Sequence, residues 1–155
     1  RFCSSREERF LFESPMMNFS RCLTALALVC ATGAAIAADA RQALLDDYAA
    51  QARRDNPQFA GFDAARGKAL YFGPHTGGDP NLNACAVCHT KDPRKWGTNA
   101  ESKREIEPMA VSTNPERYLK ERKVEKRFKR DCDEVLGRQC TAQEKGDFIT
   151  FLMHQ

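Results

Sequence analysis

Apolar residues recur at helical spacing along most of the chain, and no stretch alternates apolar and polar residues as a strand does. In residues 39–54 the large apolar side chains fall one turn apart, and Pro57 then ends that helix. A second helix is predicted over residues 62–72. Its Gly67 either lets another backbone approach closely or lies at the surface, where glycine weakens a helix by about 1 kcal/mol. Residues 90–112 lack periodicity and should form a wrapping loop.

The second half of the chain predicts two further helices. One covers about residues 113–132, with some break. It starts at Thr113-Asn114-Pro115 with a capping side chain and a proline in the first turn, and Gly137 is a plausible C-cap. The other covers residues 142–153, where Thr141 and Glu144 form the capping box at its start. Because no strand pattern competes, the sequence predicts an all-α fold in which the last helix crosses the second one.

A leader precedes the helical region. Residues 17–37 combine a short basic start, an apolar run at 22–31 and an A-x-A cleavage pattern at 35–37, which is typical of a secretory signal peptide. The apolar run is too short for a spanning helix. We expect residues 1–16 to be an upstream extension or the product of a misplaced start. Residues 38–155 should then form one mature domain in the periplasm.

Composition leaves few reactive groups in the mature chain. The formal net charge of +3 is close to balance, so bulk charge does not indicate a nucleic-acid binder.

Three of the seven cysteines fall before the mature domain, and four remain after export. The four are Cys85, Cys88, Cys132 and Cys140. In an oxidising compartment Cys132 and Cys140 most simply form a disulfide, and two free thiols are the alternative.

The motif C-x-x-C-H at residues 85–89 is the attachment pattern of a c-type haem. Residues three and four apart lie on one face of a helical turn, so Cys85, Cys88 and His89 can face one flat ligand. The thiols would hold the haem as thioethers, and the imidazole would bind the iron. A dithiol redox site would need a thioredoxin-like βαβ pattern, and a zinc site would need a second ligand pair at short spacing. The sequence provides neither.

Three other stretches give the chain a family resemblance. They are KREIEP at residues 103–108, NPERY at 114–118 and VEKRFKRDCDEVLGRQCTAQEKGDF at 124–148. With Gly67 and Tyr71 ahead of the C-x-x-C-H motif, the chain resembles the sphaeroides haem protein (SHP) family of small exported monohaem cytochromes. Members of that family have a class I cytochrome c fold and bind oxygen and related small ligands. The resemblance therefore implies short helices wrapped around one covalent haem c.

The resemblance also implies roles for individual residues. It makes His89 the proximal iron ligand and pairs Cys132 with Cys140 in a disulfide. In the family, an asparagine just before the first disulfide cysteine is the sixth iron ligand and moves away when a gas binds. Asp131 stands at that position here, which departs from the family pattern.

Two residues are candidates for the sixth iron ligand. Val124, Phe128 and Asp131 fall on one helix face that is otherwise apolar. The acid is therefore either buried against ferric iron or placed at the solvent edge of that face. Met109 is the alternative, because methionine with histidine is the usual ligand pair of an electron carrier. The sequence leaves both candidates open.

A basic segment adds a candidate surface. Eight Lys and Arg residues lie between Arg117 and Arg130 and are only partly offset by acids. The segment can be a solvated face, a docking surface for an acidic redox partner, or a source of counter-charges for the haem propionates. The family resemblance implies an electron donor that is another exported cytochrome, such as a dihaem one.

Together these features predict a periplasmic monohaem c-type cytochrome. The first hypothesis is electron transfer with a sixth iron site that opens to oxygen or nitric oxide. The alternatives are a plain carrier with His89 and Met109 both on the iron, and a haem enzyme that reduces a small oxidant. The enzyme ranks last, because Asp131 is the only distal acid–base group that the sequence offers.

Overall fold

The computed structural model describes residue 37 and residues 40–155 of the chain. The predicted upstream extension at residues 1–16 and nearly all of the predicted signal peptide at 17–37 lie outside the described residues. Within the described part, no helix is long and apolar enough to cross a bilayer.

Two helices precede the C-x-x-C-H motif. The first, α1, is helical over residues 40–55, close to its predicted range. Its buried apolar side chains are Leu44, Leu45, Tyr48 and Ala52. The second, α2 (Ala64–Phe72), begins after Asp63, whose carboxylate accepts a hydrogen bond from the Arg66 N–H at 2.7 Å. The predicted second helix is confirmed, and this cap sets its start two residues later than expected.

The motif itself forms a short helix that is followed by a small hairpin. The helix α3 (Cys85–His89) has five residues. After it, β1 (Gly97–Thr98) pairs antiparallel with β2 (Glu105–Ile106), and Gly97 lies opposite Ile106. The sequence pattern predicts only a loop here, because strands of two residues are too short to show an alternating pattern.

The helix predicted over residues 113–132 is wrong at both ends. Residues 111–118 consist mainly of turns, and α4 (Glu121–Leu136) begins only after them. Tyr118 has a left-handed backbone conformation with a φ of 63°, which a right-handed helix cannot contain. The Arg117 side chain also donates a hydrogen bond to a carbonyl of the preceding loop at 2.8 Å. Longer-range contacts therefore fix turns where local signals favour a helix.

The last helix, α5 (Ala142–Met153), has the predicted ends. The Glu144 N–H donates to the Thr141 hydroxyl at 3.1 Å, and the Thr141 N–H donates to the Glu144 carboxylate at 2.8 Å, so the predicted capping box is confirmed. Just upstream, α4 ends at Leu136 and is capped by Gly137, whose φ of 66° is the left-handed conformation that glycine adopts without strain. Local chemistry thus defines the turn between the two helices.

The helices α2 and α5 cross in the core with their backbones in contact. A Cβ atom added to Gly67 would lie 2.0 Å from the Asp147 carbonyl oxygen and 2.9 Å from the Phe151 Cβ. The predicted crossing and close approach are confirmed, and the surface alternative for this glycine is wrong. The largest fully buried side chains come from the same two helices. They are Tyr71, Ile149 and Leu152.

A buried carboxylate reinforces this crossing. Asp147 is only 2% exposed, and it accepts hydrogen bonds from the Asp63 N–H at 2.7 Å and from the Arg66 guanidinium at 2.7 and 2.9 Å. The backbone carbonyl of the same residue packs directly against Gly67. As a result, α2 cannot slide along α5 without losing both the backbone contact and the hydrogen bonds at its own start.

Replacing Gly67 with alanine should destabilise the protein, although alanine is the better helix former. The new methyl group would overlap the Asp147 carbonyl, and overpacking of this kind costs about 1–3 kcal/mol. We expect the free energy of unfolding, measured by chemical denaturation, to fall by at least that amount. Ala69→Ser is the matched control, because it adds one atom at an exposed position of α2 and should cost about 0.5 kcal/mol or less. A Gly67→Ala variant as stable as the parent would contradict the backbone contact.

Candidate haem site

The helix α3 presents its three reactive side chains to one cavity. Cys85, Cys88 and His89 all line a cavity of about 800 Å³, and neither cysteine belongs to a disulfide. This volume falls within the range of about 300–1,000 Å³ that is usual for cofactor sites. The structure therefore brings the side chains of the motif together in the way that their spacing predicts.

The walls of the cavity combine apolar and charged side chains and come from several elements. The helices α2, α4 and α5 and the loop before α3 each contribute large side chains. They include Leu70, Leu82, Val124, Phe128, Leu136 and Phe148. These apolar side chains around two unbridged thiols and one imidazole suit a haem c, which needs apolar contacts for its ring, two thioether attachments and a nitrogen ligand for its iron, while the charged lining suits its propionates. Cys85, Cys88 and His89 would hold that group.

A five-residue helix has little stability of its own, so α3 depends on contacts from other elements to hold it in place. Tyr71 of α2 donates its hydroxyl to the carbonyl oxygens of His89 and Thr90, at 2.8 and 2.9 Å. The backbone of Gly97 lies so close to α3 that an added Cβ would be 2.2 Å from the Cys88 carbonyl oxygen. The helical core and the hairpin therefore both position the motif.

Burial controls the protonation of the reactive groups. It raises the pKa of the Cys85 thiol to about 12, and the Asp131 charge acts in the same direction. Burial lowers the pKa of the His89 imidazole to about 4, an effect that the Asp131 charge opposes and nearby arginines reinforce. At neutral pH His89 is therefore a neutral imidazole, the form that coordinates metals.

Asp131 lies in α4 and lines the cavity. Val124 and Phe128, which precede it on the same helix face, are buried, whereas the Asp131 side chain is 39% exposed. Its carboxylate accepts hydrogen bonds from the Arg130 guanidinium at 2.5 and 2.7 Å. In the structure the acid is thus half-buried, lines the cavity and has an arginine beside it.

Met109 lines the same cavity, but its segment lies against the loop that follows His89. The N–H groups of Met109 and Ala110 both donate to the Pro93 carbonyl oxygen, at 2.8 and 2.9 Å. The Tyr118 hydroxyl donates to the Met109 carbonyl oxygen at 3.1 Å. The backbone of Met109 is therefore fixed beside that loop.

A disulfide joins Cys132 to Cys140 across the turn between α4 and α5, with an S–S distance of 2.00 Å. Both cysteines line the cavity. Cys132 directly follows Asp131, and Cys140 directly precedes the Thr141 cap of α5. The bridge therefore ties the helix of one candidate iron ligand to the start of the last helix.

Sequence reasoning missed the residues that brace the segment at 107–118. Arg41 of α1 is buried and donates to the carbonyl oxygens of Arg117 and Pro115. Arg117 donates in turn to two carbonyls earlier in the segment. Tyr118 is buried and lines the cavity. The only signal for them was the NPERY stretch, which contains both Arg117 and Tyr118 but gives no hint of Arg41.

The predicted basic segment divides into two groups. Its cavity-lining members are Arg117, Lys120, Lys123, Arg127 and Arg130. Its other members are Arg122, Lys126 and Lys129, which are exposed and do not line the cavity. Five side chains are thus in position to supply counter-charges at the cavity, and three form a solvated face.

The two histidines outside the motif do not line the cavity. His75 donates from Nε2 to the Leu70 carbonyl oxygen at 2.7 Å, and His154 donates from Nδ1 to the Thr150 carbonyl oxygen at 2.7 Å. Both hydrogen bonds join a side chain to a backbone carbonyl four or five residues earlier, so these histidines stabilise local backbone structure.

Comparison with known proteins gives a consistent assignment. A family model described as a domain of unknown function (DUF1924) matches residues 57–152. The cytochrome c-type protein SHP of Cereibacter sphaeroides is 41% identical over 93 residues, which cover 60% of this chain and 71% of SHP. Cytochrome c'' of Methylophilus methylotrophus is 32% identical over 110 residues, which cover 71% of this chain and 76% of that protein.

Solved structures of the same two proteins match the fold. Oxidized SHP, described as an oxygen-binding cytochrome c, has a TM-score of 0.67 and 36% identity, and the match covers 74% of this chain and 96% of SHP. Oxidized cytochrome c'' has a TM-score of 0.67 and 30% identity, with 76% and 95% covered. A solution structure of cytochrome c'', described as giving insights into haem-ligand detachment, has a TM-score of 0.63, 31% identity, and 74% and 93% covered. These matches confirm the predicted all-α cytochrome fold and the covalently bound haem c.

Replacing Cys85 and Cys88 together with alanine should abolish covalent haem attachment, because the thioether bonds need these sulfur atoms. Haem peroxidase staining after denaturing electrophoresis should then be absent from the protein band. Cys132→Ala with Cys140→Ala is the matched control, since it removes two other cavity-lining sulfurs and should keep the stain. Stain that survives in the Cys85 and Cys88 double variant would contradict the assignment.

Proposed function

The chain belongs to the DUF1924 family and is a haem c-type cytochrome of the group that includes SHP and cytochrome c''; from this premise we propose that it is an exported electron-transfer protein whose sixth iron position opens to a small gas such as oxygen or nitric oxide. In this proposal His89 holds the iron from one side. Asp131 is the ligand that moves away.

The observation that carries this proposal is the setting of Asp131. Its carboxylate lines the cavity, and its charge acts on both His89 and Cys85. The hydrogen bonds of its side chain come from Arg130, whose own side chain is 52% exposed. An ion pair with an exposed arginine is worth little free energy. The carboxylate can therefore leave Arg130 for the iron, and return, at small cost.

The position of Met109 argues against the plain carrier. Hydrogen bonds with Pro93 and Tyr118 fix the Met109 backbone beside the loop that follows His89. With His89 on the iron, a sixth ligand would have to come from another part of the cavity wall. Anchoring beside the His89 loop disfavours that approach, whereas Asp131 comes to the cavity on a separate helix. The geometry therefore supports a movable Asp131 over a fixed pair of His89 and Met109.

The chemistry of a carboxylate predicts how the site responds to oxidation state. A bound haem would supply one-electron chemistry, and with His89 on its iron it would still accept one further ligand. A carboxylate is a hard, anionic donor, so Asp131 should bind more tightly in the ferric state than in the ferrous state. Its release on reduction would leave room beside Phe128 for a small neutral molecule. The descriptions of SHP as oxygen-binding and of cytochrome c'' in terms of haem-ligand detachment support the same behaviour here.

The proposal includes a periplasmic location and a redox partner. The predicted leader at residues 17–37 supports export, and a disulfide such as that between Cys132 and Cys140 is typical of an oxidising compartment. The proposed electron donor is another exported cytochrome, such as a dihaem one, as the family resemblance implies.

Asp131→Asn and Asp131→Ala should both raise the reduction potential. Each variant removes an anionic donor that favours the ferric state, and a tenfold loss of that preference corresponds to about 59 mV for one electron. We expect a rise on the order of 60–120 mV, which corresponds to a loss of 10- to 100-fold in preference. A spectroelectrochemical titration measures the potential and should also show an altered ferric spectrum.

The matched control for this prediction is Asp133→Asn. It removes the same charge from an exposed position of α4 that does not line the cavity, so it should leave the ferric spectrum unchanged and shift the potential much less. If both Asp131 variants keep the parent's ferric spectrum and potential, Asp131 does not touch the iron. Met109→Leu then becomes the decisive variant.

A further inference from the structure

Of the large apolar side chains that the described residues leave in solvent, one lies in α3 and another in the loop that follows it. Val87 is 48% exposed, and Trp96, the single tryptophan of the chain, is 58% exposed. A third exposed apolar side chain, Met153, lies at the end of α5. Single exposed apolar residues need no explanation. What matters is whether Val87 and Trp96 belong to one surface.

Backbone contact brings the segments of these two residues together. Val87 directly precedes Cys88, and Trp96 directly precedes Gly97. A Cβ added to Gly97 would lie 2.2 Å from the Cys88 carbonyl oxygen, so the two backbones touch. Neither Val87 nor Trp96 lines the haem cavity, so a haem in that cavity leaves both side chains in solvent.

The residues between Val87 and Trp96 give this region a positive charge. The only acid among them is Asp92, whose carboxylate accepts a hydrogen bond from Arg94 Nε at 2.9 Å. The exposed basic residues outnumber it. We call the following set the attachment-site patch: Val87, Lys91, Arg94, Lys95 and Trp96.

The basic helix α4 is a less suitable place for a partner to bind. Most of the basic residues between Arg117 and Arg130 line the cavity, where they can supply counter-charges to the haem. Among the described residues, α4 also has no large apolar side chain that is exposed. Charges without an apolar anchor speed the encounter of two proteins but hold the complex weakly.

We propose that the attachment-site patch docks an acidic exported redox protein that passes one electron to this cytochrome. The inference rests on the proposed function, because it takes the chain to be an electron-transfer protein. The partner loses one electron and this protein gains one, with no bond made or broken and no proton transferred. Cys88 follows Val87 in the chain, and its carbonyl oxygen contacts the backbone of Gly97, which follows Trp96. Docking at the patch therefore brings the partner next to Cys88, a residue that would hold the haem.

The composition of the attachment-site patch suits a small transient interface. Tryptophan is among the residues that most often dominate the binding energy of an interface. An apolar centre with a charged rim is the usual arrangement. The basic rim should speed association with an acidic partner, and salt should reduce this effect by screening. Redox complexes are commonly weak and small, so one anchoring side chain can carry much of their affinity.

A stopped-flow experiment tests the proposal with fully reduced flavodoxin as the probe, an acidic protein that gives up one electron. The second-order rate constant for reduction of the ferric protein should fall as ionic strength rises. Trp96→Ala should lower that rate constant about tenfold at each ionic strength, because an anchor is lost. Lys91→Glu with Lys95→Glu should lower it at low salt and flatten its salt dependence.

Two matched controls separate the patch from the rest of the surface. Met153→Ala removes the third exposed apolar side chain and should leave the rate constant within about twofold of the parent value. Lys126→Glu with Lys129→Glu reverses two charges on the exposed face of α4, away from the cavity lining. This reversal should slow the reaction less than the reversal at Lys91 and Lys95.

Two outcomes would overturn the docking surface. One is a Trp96→Ala variant whose rate constant stays within about twofold of the parent value. The other is an α4 reversal that slows the reaction more than the patch reversal, since it would assign docking to α4. Reduction by dithionite and binding of carbon monoxide should be the same in all these variants as in the parent. Failure of the proposed function would show separately, as a parent protein that does not bind carbon monoxide.

Discussion

The backbone contact between Gly67 and Asp147 is the constraint on which the site depends. It lets α2 and α5 cross without a side chain between them, and the buried Asp147 carboxylate bonds the start of α2 to α5. One turn beyond Gly67, Tyr71 donates its hydroxyl to the His89 carbonyl oxygen. Two helices that carry none of the C-x-x-C-H motif therefore fix the position of the proposed iron ligand.

A second constraint acts on the wall formed by α4. The Cys132–Cys140 bridge holds the end of this helix to the capped start of α5, and Asp131 directly precedes the bridged cysteine. Its backbone is therefore anchored, while its side chain is bonded to an exposed Arg130. An anchored backbone with a loosely held carboxylate is the combination that a ligand needs if it is to leave and return to the same site.

The sequence predicted features that depend on neighbours in the chain. These include the capping box of α5 and the one-face arrangement of the C-x-x-C-H motif. It failed where distant residues override local preference. Tyr118 has a left-handed conformation in turns that Arg41 of α1 braces from far along the chain, so the helix predicted there does not form. The location of Met109 likewise depends on hydrogen bonds to Pro93, which no local pattern encodes.

If the sixth iron position opens on reduction, the absorption spectrum of the ferrous protein with and without carbon monoxide will show it. We expect a high-spin ferrous spectrum that carbon monoxide converts at once to a low-spin one. We also expect a ferric spectrum without the far-red band of methionine ligation. A low-spin ferrous spectrum that carbon monoxide leaves unchanged would contradict the proposed opening, because it would mean that the sixth ligand stays on the iron in both oxidation states.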